Sequence, residues 1–245
     1  MTTEHRLNSS HITVSGIRVQ IERKDIKNLH LGVYPPNGRV RVAVPLVVSD
    51  DAVRLAVVGK LGWIRRQQAK FAEQPRQSAR EMVNGESHYF LGRRYRLRVH
   101  EQAGKQFVAI HSITYMDLYV NTGRNAVQKE AVLARWYRQQ LNELLPPLLE
   151  SWQAALGVQA NHWGIKRMKT KWGSCNPTSK RLWFNLELAK KPLQCLEYIV
   201  AHELAHLLER NHTDLFKALL DRHLPEWRQH RDQLSQQPLA HEAWR

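Results

Sequence analysis

Apolar positions recur at every second residue in the first part of the chain: Ile12, Val14, Ile17, Val19 and Ile21, then Leu29, Leu31 and Val33, then Val40, Val42 and Val44. A two-residue period puts alternate side chains on one face of an extended backbone, so residues 11 to 45 predict a small antiparallel sheet. Pro35-Pro36-Asn37-Gly38 reads as a turn between the last two runs. After Pro45 the period lengthens, with Val53, Val57, Leu61 and Ile64 on one face and Lys60, Arg65, Arg66 and Lys70 on the other. Ser49 or Asp50 can cap this helix, which is expected to run to about Gln74, and the polar stretch Pro75 to Arg80 predicts a connection.

Asn84-Gly85 opens a second alternating segment, with Tyr89-Phe90, Tyr95 to Val99, Phe107 to Ile110 and Met116 to Val120, and more sheet is expected there. From about Asn125 to Leu156 the pattern is helical, carried by Val132, Leu133, Trp136, Leu141, Leu144 and Leu145, with Pro146-Pro147 expected to bend or divide it. Ile165 to Trp172 and Arg181 to Leu186 predict two strands joined by a loop containing Gly173, Asn176-Pro177 and Ser179. No internal repeat is evident in the residues themselves.

The last segment, from Pro192 to Phe216, changes the picture because it carries chemistry. Pro192 suits a first helical turn, nothing from Leu193 to Arg210 breaks a helix, and Asn211 is placed to end it in a left-handed conformation. Within it lies His202-Glu203-Leu204-Ala205-His206. Residues four apart on a helix project about 40° apart and lie roughly 6 Å apart along the axis, so two imidazoles can grip one ion while Glu203 takes a proton from a water on it. Leu193, Val200, Leu204 and Leu208 fall on the opposite side of the wheel and are expected to bind the core. Cys195 faces the histidine side two turns earlier, too far along the axis for a ligand, and reads as a small buried hydrophobe. Tyr198, one turn before His202, is a candidate to stabilise an oxyanion or simply a packed ring.

A catalytic zinc takes three protein ligands and leaves a fourth position open. His212, six residues after His206, can return to the cleft by a short chain reversal; its spacing equals that of metzincins, which have Gly where this chain has Glu209. Glu226, twenty residues after His206, is the rival, at a thermolysin-like spacing.

Lys and Arg number 37 against 22 Asp and Glu, a formal net charge of +15. Such an excess attracts polyanions, so non-specific contact with nucleic acid through the basic surface is an expectation beside that of a merely solvated face. There are two cysteines, Cys175 and Cys195, and neither a signal-like N-terminus nor an apolar run long enough for a bilayer. A soluble cytoplasmic protein with no membrane contact is expected.

Several stretches together resemble the YgjP-like metallopeptidases, relatives of the SprT and WLM proteases: K-T-K-W-G-S-C at 169 to 175, F-N-L-E-L-A at 184 to 189, Y-I-V-A-H-E-L-A-H-L at 198 to 207, N-H-T-D-L-F at 211 to 216 and P-E-W at 225 to 227. The N-terminal R-K-D-I-K-N-L-H-L-G-V-Y-P-P-N-G and the central N-G-E-S-H-Y-F-L-G-R-R-Y extend the likeness over most of the chain. The resemblance implies a zinc-dependent peptidase acting on protein or peptide substrates, with His202, His206 and His212 as Zn2+ ligands, Glu203 as general base, and Trp172, Gly173 and Ser174 shaping the substrate cleft. The expected fold is α+β: a strand-rich N-terminal region over 1–124 with one long helix, then a zincin-like helical core over 125–245 with a β-hairpin wall, or one continuous domain. Two other readings stand beside it: a basic nucleic-acid-binding protein with a structural metal, and a metal-dependent hydrolase of some other amide.

Overall fold

A computed structural model of the chain describes residues 9–34, 37–73, 80–168 and 171–235. Pro35 and Pro36 of the expected turn, most of the connection before Arg80, and Lys169 and Thr170 lie outside the described residues. The described residues up to Glu73 form one compact unit and those from Arg80 onward another.

In the first unit the alternation predicted from the apolar pattern is realised in four strands: β1 (Ser9–Val14), β2 (Ile17–Lys24), β3 (His30–Tyr34) and β4 (Arg39–Pro45). Their order is β1-β2-β4-β3, and β2 runs parallel to β4. The sheet is therefore mixed where an antiparallel one was expected, because β3 takes the edge and the chain re-enters the sheet beside β2. Ser49 caps α1 (Asp50–Val58), the Ala52 amide donating to its Oγ at 3.3 Å. A second helix, α2 (Leu61–Glu73), comes next. The single long helix expected here is broken at Gly59, a poor helix former whose amide closes α1 on the Leu55 carbonyl at 3.0 Å. Val53, Val57 and Ile64 nonetheless share one buried cluster with Val19, Ile21, Val40 and Val42 of the sheet.

The second unit starts with another four strands, β5 (Ser87–Phe90), β6 (Arg93–Glu101), β7 (Phe107–Ala109) and β8 (Tyr115–Val120), in the order β5-β6-β8-β7 with β6 parallel to β8. The strand order and pairing senses repeat those of the first sheet, a repeat that the residues do not display. Asn125 opens α3 (Ala126–Leu156) with a reciprocal cap, its side chain accepting from the Gln128 amide while the Gln128 side chain accepts from the Asn125 amide. Left-handed Gly157 closes the helix. Pro146 and Pro147 sit inside it without dividing it; Leu141, Leu145 and Leu149, all buried, hold that stretch against the core. Then come β9 (His162–Lys166), β10 (Gly173–Asn176) and β11 (Arg181–Asn185), a single 3-10 turn (Leu186–Lys190), α4 (Leu193–Ala205), α5 (Asp214–His223) and α6 (Trp227–Ser235). The expected hairpin is shifted: its arms are β10 and β11, and the earlier strand β9 pairs parallel to β11 on the far side.

No division appears at 124/125. Leu97, Met116 and Leu118 of the sheet, Leu141 and Leu145 of α3, and Leu196 and Val200 of α4 belong to one buried cluster, so sheet, α3 and α4 fold as one body. Among the described residues no helix is long and apolar enough to cross a membrane.

Candidate metal centre

The α4 helix is buried on nearly every side, from Cys195 and Leu196 through Tyr198–Ala201 to Glu203–Ala205. Of the apolar face expected to bind the core, Val200 and Leu204 are fully buried, while Leu193 in the first turn and Leu208 beyond the helix end are half exposed. Cys195 is buried, its Sγ 3.1 Å from Gln233 Oε1, and burial pushes its thiol up to about 11. The helix ends at Ala205 rather than at Arg210, with His206 as a right-handed C-cap at φ −66°. Because the His206 amide still bonds the His202 carbonyl at 3.3 Å, the two histidines keep their one-turn relation. Asn211, expected to be left-handed, is not among the positive-φ residues.

Past that end the chain reverses and brings His212 back over the helix just before Thr213 caps α5. The three imidazoles form a near-equilateral group: ring centroids are 4.9 Å apart for His202 and His206, 4.9 Å for His202 and His212, and 4.8 Å for His206 and His212. One ligand nitrogen from each lies within 4.8 Å of the others. His206 Nδ1 donates to the Glu209 carbonyl at 3.1 Å, which turns its Nε2 to the group. His202 Nδ1 lies 3.3 Å from the Tyr198 hydroxyl, which does the same for that ring. Tyr198, weighed as an oxyanion donor, therefore orients His202; its buried ring stacks on Trp227 and its hydroxyl is pushed up to about 12 by burial. Burial lowers His202 to about 3 and lowers His206 as well, so both rings are neutral donors.

Glu203 is buried beside the group, and burial raises its carboxyl to about 8 against the opposing pull of Lys171. A Cβ built on Gly173 would stand 2.4 Å from Glu203 Oε1 and 2.6 Å from its Cγ, so position 173 has room for no side chain while this carboxylate is in place. Trp172, Gly173 and Ser174 line a cleft of about 890 Å3 together with His202, Glu203, His206 and His212, and Cys175 and Tyr198 also border it. Lys171, Arg210 and Arg231 stand on the same lining. Glu226, the rival third ligand, is not on it; its carboxylate is 71% exposed and lies 4.0 Å from His230 Nε2.

Two supporting residues have no role assigned to them by spacing or chemistry in the sequence. Phe216 is buried under the triad, with its ring 5.0, 4.7 and 4.8 Å from His202, His206 and His212. Fully buried Asn185, at the end of β11, donates to the carbonyls of Met168 and Lys171 at 2.8 Å each and accepts from the Met168 and Glu187 amides, tying the Lys171–Gly173 approach to the sheet. Its one hint is a polar residue at the end of an apolar strand, where a buried amide must find partners.

A family model described as YgjP-like, metallopeptidase domain, matches residues 27–237. The chain belongs to the YgjP-like metallopeptidases. The crystal structure of the metallopeptidase zymogen of Pyrococcus abyssi abylysin is similar over 38% of this chain and 97% of that one, at 22% identity and a TM-score of 0.35. No curated protein matches. A metallopeptidase implies a catalytic metal, and the donors of this YgjP-like chain fit one: three imidazole nitrogens converge. His202 Nε2 and His212 Nε2 are 3.0 Å apart, near the roughly 3.3 Å edge of a tetrahedron with bonds of about 2.0 Å.

Proposed function

We propose that this chain is a zinc-dependent peptidase in which His202, His206 and His212 hold the metal and Glu203 moves the proton. The observation that carries the reading is the convergence of three imidazoles, with ligand nitrogens within 4.8 Å of one another, beside a buried carboxylate in an open cleft. Zinc bound there would supply Lewis acidity to a water and to the scissile carbonyl. Glu203, packed against Gly173, accepts the proton from the attacking water and returns it to the leaving amine. Burial raises its carboxyl, which favours the protonated form it passes through between taking the proton and releasing it. Tyr198 and the Glu209 carbonyl fix the two helix histidines, and Phe216 fills the space beneath all three rings. β10 is an edge strand of its three-stranded sheet and borders the cleft through Gly173 to Asn176. An extended peptide can add to that edge, its main chain pairing with β10.

The open lining favours an enzyme over a structural metal site, which would be closed by four protein ligands. The test is Glu203→Gln. We expect it to keep about one zinc per chain by metal analysis and to lose peptide hydrolysis by about 10²–10⁴-fold. Unchanged hydrolysis would remove Glu203 from the chemistry. The same chain with His212→Ala is expected to lose zinc affinity severely, whereas Glu226→Gln keeps the metal.

A further inference from the structure

The β5-β6-β8-β7 sheet covers the core with one face, through Tyr95, Leu97, Met116 and Leu118. Strand alternation puts Arg94, Arg96, Arg98 and His100 of β6 on the other. The register sets Tyr89 opposite Arg94, Tyr115 opposite Arg96, Asp117 opposite Arg98, and Tyr119 opposite His100 and Phe107. Phe107, Tyr119 and His100 stack across three strands, with centroids 4.4 and 4.6 Å apart and planes within 13° and 16°. Arg98 lies 4.4 Å over the Tyr115 ring and is held by two bonds to Asp117, at 2.7 and 2.8 Å.

Asp117 is saturated: it is buried, and it also takes His100 Nε2 at 2.7 Å. Arg94 and Arg96 have no acidic partner among the described residues, and both are exposed. Tyr89, Phe107 and Tyr115 are each 37% exposed on the same face. None of these residues lines the metal cleft.

We propose that this aromatic and arginine-bearing sheet face, centred on Arg94, Arg96, Arg98, Tyr115, Tyr119 and Phe107, is a binding platform for single-stranded nucleic acid. Unpaired arginines meet phosphates, and a chain of net charge +15 draws a polyanion to the surface. Flat, exposed rings and a guanidinium held against a ring offer bases a stacking surface. A duplex keeps its bases stacked inside and would use only the charge, so the rings favour the single strand. An anionic membrane would use the charge but would leave the parallel stacking of Phe107, Tyr119 and His100 without a role.

Anisotropy of the full chain with labelled dT12, U12 and a 12-base-pair duplex tests this. Both single strands should bind more tightly than the duplex at low salt and weaken steeply as salt rises. Phe107→Leu with Tyr115→Leu, which preserves charge, should weaken the single strands about tenfold or more and leave the duplex unchanged. Arg94→Ala with Arg96→Ala, at exposed and unpaired positions, should weaken all probes and reduce the salt slope by about 0.7 for each phosphate no longer neutralised. If the aromatic pair lowers the melting temperature, the arginine pair carries the test, because both of its side chains are exposed. Neither pair should alter peptide hydrolysis, which separates failure here from failure of the peptidase reading. The proposal is overturned by absent binding, by equal affinity for the duplex, or by wild-type binding in the arginine variant. It is equally overturned if phosphatidylserine vesicles bind while the oligonucleotides do not.

Discussion

The two four-stranded sheets have the same strand order, with the second and fourth strands parallel and the third displaced to the edge. Each carries a buried acid on its outer face, held by the nitrogens of two side chains. In the first sheet Arg41 and Lys24 reach Glu22 at 3.2 and 2.8 Å; in the second Arg98 and His100 reach Asp117, both at 2.7 Å. In each the arginine lies over a tyrosine ring, Arg41 over Tyr34 at 4.8 Å and Arg98 over Tyr115 at 4.4 Å. The helices attached to the two sheets are unlike. The first sheet is covered by helices of 9 and 13 residues separated at Gly59. The second leads into one helix of 31 residues, about 46 Å long at 1.5 Å per residue. α3 has length enough to pack on its own sheet and also on α4 and the 3-10 turn. The same sheet thus supports a further layer, and a site, only where the next helix is long and continuous enough to carry one.

The sharpest test of that comparison removes one large buried side chain from each unit. Phe216→Ala should cost about 3–5 kcal/mol and Ile21→Ala about 2–5 kcal/mol by chemical denaturation, since both side chains are fully buried. Only Phe216→Ala should also weaken zinc binding, because it opens a cavity beneath the histidines. Equal loss of zinc affinity in Ile21→Ala would mean that the first unit takes part in holding the site, and the comparison would fail.

A smaller effect separates two kinds of glycine. Gly173→Ala forces the Glu203 carboxylate to move and should reduce hydrolysis about 100-fold with the metal retained, the scale of loss that accompanies a displacement of about 1 Å. Gly16, at φ +80° with open space around it, turns β1 into β2; Gly16→Ala should cost about 1–2 kcal/mol in backbone strain and leave hydrolysis intact. Hydrolysis that survives Gly173→Ala would show that the close fit of Glu203 is incidental.

Features set by local spacing were legible. The alternation of Val19 with Ile21 and of Leu97 with Val99 named strands, Asn125 named the start of α3, and the i, i+4 relation brought His202 and His206 together with Glu203 beside them. His212 was legible as a short reversal after the helix. Features set by distant choices were not. Nothing in residues 25 to 45 says that β3 goes to the edge and makes the sheet mixed. The wall of the cleft was misplaced because Gly173 to Asn176 read as loop, whereas their strand exists through pairing with β11. Phe216 read as an ordinary apolar residue and Asn185 as one position in the strand Arg181 to Leu186, and their roles arise only when α5 and the segment before β10 are folded over them.

The mildest prediction uses the two buried acids. Hydrogen bonds, from Arg98 to Asp117 and from Lys24 to Glu22, hold both carboxyls below their ordinary values. A carboxyl depressed in the folded state stabilises the fold above its unfolded pKa of about 4 and loses that contribution as pH falls through the lower folded value. Stability should therefore decline on acidification from about pH 5 downward, and each acid should account for part of the slope. Asp117 is the more deeply buried and takes two bonds from one guanidinium, so Asp117→Asn should flatten the melting temperature against pH more than Glu22→Gln does. Exposure of the arginines screens both effects, which keeps them below those of the core truncations. Equal flattening by the two variants would show that the two sheets are interchangeable in their electrostatics, and that they differ only in the helices attached to them.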